Sequence, residues 1–206
     1  MPSASQAGSR HTASAWPACY THFQGGTYPP DEARAMTHIP RLTQALAQLL
    51  HAHRVAALGT LDAEGQPFVS MVPYAIESSL ACLVIHVSGL AAHSANMLAH
   101  PQVSLLVMQA ETPGEPVHAL PRVTLEATAQ VLERDSADWL RCRDAYLKRF
   151  PDSEPMTQLG DFMFMALHPS GARQIAGFGS ARTVQPVDVH LALSQVPAET
   201  SAETSP

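Results

Sequence analysis

A chain of 206 residues, 46% hydrophobic and 15% charged, has room for one well-formed domain. Its net charge of −6, with few and scattered basic residues, argues against a general nucleic-acid binder and against a polybasic membrane patch. No apolar run reaches the length of a membrane span, and the N-terminus lacks the charged and apolar segments of a secretory signal.

The two ends differ from the middle. Residues 1–36 are rich in Ser, Ala, Gly, Pro and Thr, and read as a disordered or loosely packed extension. Residues 186–206 close on a Pro-Ala-Glu-Thr-Ser run and read as a disordered tail. The folded unit is then 37–185. Cys19, Cys82 and Cys142 form no CxxC and no metal-like spacing, so the expected compartment is reducing and cytoplasmic.

In chain order, Ile39, Leu42, Leu46, Leu49 and Leu50 share a face and predict a helix over about 38–53, with Pro40 in its first turn. A strand over 54–61 ends at the turn Asp62-Ala-Glu-Gly65, and its return runs from Pro67 to Ile76. The apolar run from Leu80 to Val87 reads as a strand buried on both faces. A short helix follows Ser88-Gly89 and stops at His100-Pro101. Val103–Met108 is a strand, 110–120 a Pro-rich loop, and 122–133 a long alternating strand. Asp135 or Ser136 caps a helix to about Phe150. Residues 162–167 and 172–178 then form a hairpin around His168-Pro-Ser-Gly171. Many strands joined by hairpins, with few helices, predict a mainly β (α+β) antiparallel barrel rather than a doubly wound sheet.

Few residues suggest chemistry. Gly177-Phe-Gly179 lacks the third glycine and the helix of a dinucleotide motif and reads as a tight turn. His51 and His53 are two apart, so on a helix they face different ways, and no further ligand lies near. His86, His93, Ser88 and Gly89 surround a helix start, where exposed N–H groups favour a phosphate. Ordinary capping with surface histidines explains the same residues. Arg122 opens a long strand and would suit a phosphate or a flavin carbonyl if that strand borders a pocket. No nucleophile, acid or base is nominated, so no catalytic residue is assigned.

Six segments run in one order over about 130 residues: Val69-Ser-Met-Val-Pro-Tyr-Ala75, Ile85–Val107, Pro121-Arg-Val-Thr-Leu-Glu126, Val131-Leu-Glu-Arg-Asp-Ser136, Gln158-Leu-Gly-Asp-Phe162 and Gly177-Phe-Gly-Ser-Ala181. Together they resemble the FMN-binding split-barrel superfamily of pyridoxamine-phosphate oxidase type, and more narrowly its haem-utilisation branch. The resemblance implies a split antiparallel β-barrel acting as a homodimer on a small-molecule substrate, with an FMN pocket at the dimer interface. The implied cofactor-binding residues are Ser70, Val72, Pro73, His86, Val87, Ser88, His93, Ser94 and Arg122. Ala92 and His93 stand where the oxidases place a phosphate-binding Arg-Lys pair, which weakens that cradle. In the haem branch the resemblance implies a histidine ligand in the C-terminal region, where His168 and His190 are the candidates. An FMN-binding oxidoreductase-like protein is thus the leading expectation. A haem-binding or haem-degrading protein is the second, and a non-enzymatic interaction module the third.

Overall fold

The computed structural model describes residues 32–195, with side chains from residue 41 onward. Most of the expected N-terminal extension (1–31) and residues 196–206 of the expected tail lie outside the described residues. Eight strands form one antiparallel sheet, in the order β2-β1-β5-β6-β7-β4-β3, with β8 on β7. They are β1 (Val55–Leu61), β2 (Pro67–Pro73), β3 (Ala75–Glu77), β4 (Cys82–Ser88), β5 (Gln102–Met108), β6 (Arg122–Val131), β7 (Phe162–Ile175) and β8 (Ala181–Val184). Among the described residues four α-helices accompany them: α1 (Glu32–Ala52), α2 (Ala92–Ala99), α3 (Ala137–Arg149) and α4 (Pro186–Ser194). None is long and apolar enough to cross a membrane.

The connectivity explains the curl. Tyr74 alone separates β2 from β3, yet these strands stand at opposite ends of the strand order. The sheet must bend until its two edges meet at that residue, which gives a split barrel. Tyr74 is fully buried, and its hydroxyl donates to the Leu50 carbonyl at 2.7 Å, tying the seam to the end of α1. The predicted return strand over 67–76 is therefore two strands with different partners.

Alternation sorts side chains into two cores. Leu58, Leu83, Ile85, Leu105, Leu125 and Leu167 fill the barrel with Leu46 and Leu50 of α1. Each such side chain contributes roughly 1.5–3 kcal/mol when fully buried. On the other face of β4 and β7, Cys82, Val84, Phe164 and Ala166 meet Trp139, Cys142 and Tyr146 of α3. The Ser136 hydroxyl caps α3 by accepting from the Trp139 N–H, as the sequence predicts.

Three expectations are corrected. First, α1 begins at Glu32 rather than near 38, so Pro40 falls inside it. Second, His168-Pro-Ser-Gly171 is not a hairpin turn. It lies within the 14-residue β7, where Ala127 pairs with Pro169 and Glu126 with Gly171. Ser170 is the unpaired extra residue of a bulge, a setting in which proline's missing N–H is tolerated. The hairpin turn comes later, at Gly177 (φ 143°) and Gly179 (φ 72°), and leads into β8. Third, residues 186–194 of the expected tail are helical. Pro186 sits in the first turn with Asp188, and Val189, Ala192 and Leu193 are buried in the barrel core. Anchoring against α1 and the sheet supplies the stability that composition alone does not suggest.

Candidate functional site

The predicted phosphate cradle is a corner where α2 packs against β1 and β2. Asn96 donates to the Thr60 hydroxyl at 2.9 Å, and both residues are buried. His93 Nδ1 lies 3.1 Å from Ser70 Oγ, so two predicted site residues from distant segments do meet. Burial lowers the His93 pKa, which disfavours its cationic form. Ser94 is fully buried and donates to the Ser88 carbonyl at 2.6 Å. Ser88 donates in turn to Asp161 Oδ2 at 3.1 Å and accepts from the Leu90 N–H. Gly89 allows a close approach here: a Cβ would sit 3.1 Å from the Asp161 carbonyl oxygen, a tight contact. Strands β2 and β4 and helix α2 carry no Lys or Arg.

The other predicted residues do not join this corner. Val72 and Val87 belong to the barrel core, and Pro73 is half-buried at the end of β2. His86 points the other way, toward α3. Its ring centroid is 4.3 Å from Phe164, 5.1 Å from Phe162 and 5.8 Å from Tyr146. Burial, with Arg134 adding a like charge, pushes its pKa down to about 4. Arg122 donates to the carbonyls of Leu120 at 3.0 Å and His118 at 3.4 Å. It pairs with Met108 at the start of β6, whereas the row carrying Val103 and Ala127 lies five residues along. That is about 17 Å at strand rise.

A different surface is open. Residues Leu61, Val69, Gln102, Ser104, Glu126, Thr128 and Ser170 help line a groove of about 480 Å³. Beside it the sheet's outer face is apolar and uncovered, with Val69 68% and Met71 64% exposed next to exposed Val55 and Met108. His168 pairs with Thr128 at the groove's edge and is half-buried. His190 lies on α4 with its side chain exposed, among the exposed apolar side chains Val187 and Leu191. Neither imidazole makes a hydrogen bond among the described residues.

Sequence reasoning missed α4 and the groups that seat it. Arg182 of β8 donates to Gln174 Oε1 at 2.8 Å and to the Thr43 hydroxyl at 3.3 Å, and lies 4.0 Å from Asp188 Oδ2. Pro186 followed by Asp188 was the available signal, a helix start with an acid in its first turn. No local pattern in the sequence reveals the bond from Ser88 to Asp161.

Comparison with known proteins gives consistent likenesses. The family model described as pyridoxamine 5'-phosphate oxidase matches residues 42–176. Heme oxygenase HutZ of Vibrio cholerae is 31% identical over 150 residues, covering 72% of this chain and 84% of that protein. Its crystal structure, described as that of a heme storage protein, superposes with a TM-score of 0.56 at 30% identity, over 65% of this chain and 91% of that one. The chloroplastic heme oxygenase HOZ of Arabidopsis thaliana is 34% identical over 119 residues, which are 57% of this chain but only 34% of that protein. A heme-binding protein from Mycobacterium smegmatis shares the fold, with a TM-score of 0.66 at 23% identity, over 72% of this chain and 60% of that one.

Proposed function

This chain belongs to the pyridoxamine 5'-phosphate oxidase family, and on that premise we propose that it binds and degrades haem rather than serving as a flavin oxidoreductase. The observation that carries this reading is the 31% identity extending over 84% of a protein named for heme oxygenation. The geometry of the α2 corner supports it. A flavin phosphate would carry up to two negative charges to a place where β2, β4 and α2 offer no cationic side chain. The His93 imidazole there is bonded to Ser70, and burial works against its cationic form. The residues present do not fit FMN as a cationic cradle would.

The α4 flank suits an apolar planar ligand with iron at its centre. His190 is exposed, carries its lone pair free of hydrogen bonds among the described residues, and has Val187 and Leu191 beside it. It is the preferred iron ligand, with His168 at the groove's edge as the alternative. Haem supplies its own redox iron, so the protein's part is to ligate, to exclude water and to orient. The exposed Val69, Met71 and Val55 face is the surface on which a second copy of the chain would dock, giving the homodimer implied by the family.

The test is a haemin titration of the purified chain followed by absorption. A Soret band that shifts or disappears in His190→Ala, and persists in His168→Ala, is the expected result. The reverse pattern transfers the ligand role to His168. A spectrum indifferent to both substitutions, or no haemin binding at all, overturns the reading.

A further inference from the structure

We propose that Arg182 and Asp188 are positioning residues that hold α4 in the single rotation presenting His190 outward. This rests on the haem reading above and adds the device that aims its ligand.

Helix α4 has nine residues, too few to be stable alone, so its orientation comes from what it touches. At about 100° per residue, Asp188, Val189, Ala192 and Leu193 fall on one side and Val187, His190 and Leu191 on the other. The exposures follow this division, with Val189, Ala192 and Leu193 fully buried and Val187 73% and Leu191 52% exposed. The apolar anchors are short: one valine, one alanine and one leucine. Such a stripe gives adhesion but little angular specificity, because small side chains repack after a modest rotation. Directional bonds supply what the stripe lacks.

Two such contacts reach the first turn of α4, from α1 and β8, and at the far end of the helix Ser194 Oγ donates to the Ser78 carbonyl at 3.4 Å. Thr43 of α1 donates to Asp188 Oδ1 at 3.4 Å, and Arg182 of β8 stands 4.0 Å from Oδ2. Arg182 is itself fixed by Gln174 of β7 and by Thr43. Gln174 donates to the Leu42 carbonyl at 3.1 Å, closing the set onto α1. Thr43 and Gln174 are each only 2% exposed, so the network has a buried, rigid base. Gln185, at the N-cap, makes no side-chain cap, so among the described groups the Asp188 carboxylate is what polar contact fixes in that turn. His190 is two residues beyond Asp188. Freeing the carboxylate leaves that first turn without a polar anchor among the described groups, and the imidazole two residues on shifts with it.

The experiment compares haemin complexes of the full-length wild type, Arg182→Ala, Asp188→Asn, Val189→Ala and His190→Ala. Iron ligation is read by absorption and electron paramagnetic resonance, and folding by thermal unfolding. Val189→Ala destabilises the same helix without touching the network, so it reports a merely structural loss. The expected result is that Arg182→Ala and Asp188→Asn shift the ligation spectrum toward that of His190→Ala and weaken haemin about tenfold. Added imidazole restores the ligation spectrum in all three, and Val189→Ala keeps the wild-type spectrum. Wild-type ligation in Arg182→Ala and Asp188→Asn, with ligation lost in His190→Ala, overturns the positioning role and leaves the haem reading standing. Equal spectral change in Val189→Ala also overturns it. Wild-type ligation in His190→Ala removes the ligand itself, and both readings fall together.

Discussion

At the α2 corner the imidazole of His93 is bonded to Ser70, and that of His86 is enclosed by Phe162, Phe164 and Tyr146. On the α4 flank His190 stands exposed near Val187 and Leu191, its outward aim backed by buried contacts on the opposite helix face. The difference teaches that a histidine's promise as a ligand depends on what the fold has already done with it. A ring held neutral by burial and committed to a neighbour is part of the architecture, whereas an exposed ring on a braced helix is available for chemistry.

The sharpest way to break the comparison is to exchange the fates of the two regions. His190→Ala should abolish the histidine signature of bound haemin, while His93→Ala should leave the Soret band in place; parallel titrations read both. Next in size is assembly. Met71→Lys or Val69→Lys places a charge on the apolar outer face and should convert a dimer to monomer in analytical ultracentrifugation, with the fold unchanged by circular dichroism.

A third effect is pH-dependent stability at the architectural side. The folded pKa of His86 is about 4, against 6.5 for the unperturbed ring, so between these values the unfolded chain binds the extra proton. His86 therefore contributes stability above pH 6.5 that is lost as pH falls toward 4, amounting to at most about 3 kcal/mol. Denaturant unfolding between pH 7 and 4.5 should show that slope, and His86→Phe should flatten it. The smallest effect belongs to Ser70→Ala, which leaves His93 Nδ1 without its partner. It should cost about 1 kcal/mol in the same assay, with haemin affinity unaltered.

How much of this was legible beforehand varies by region. The barrel strands were readable because alternation in Val123, Leu125, Ala127 and Ala129 reports one buried face whatever the partner strand. The run Leu80–Val87 was readable as buried on both sides, but its apolar pattern could not say which side faces α3. That is why His86 looked like a neighbour of His93. His168-Pro-Ser-Gly171 has the composition of a turn, and only the presence of β6 alongside turns it into a bulge. The end of the folded unit was missed because nine residues of helix depend on distant partners, Thr43, Gln174 and Arg182. The resemblance-based cofactor set mixed packing residues, Val72 and Val87, with groups that meet, Ser70 and His93. Sequence adjacency to a family motif does not distinguish these two classes.

Whether the chain takes haem and not flavin is decided by one pair of titrations. Haemin and FMN would be added separately to the same purified, ligand-stripped full-length protein, with absorption and fluorescence recorded. A saturable Soret band at one haemin per chain is expected, with no quenching or band shift of FMN at equal concentration. Tight FMN binding with no haemin complex would contradict it, and would return the α2 corner to the centre of the protein's chemistry.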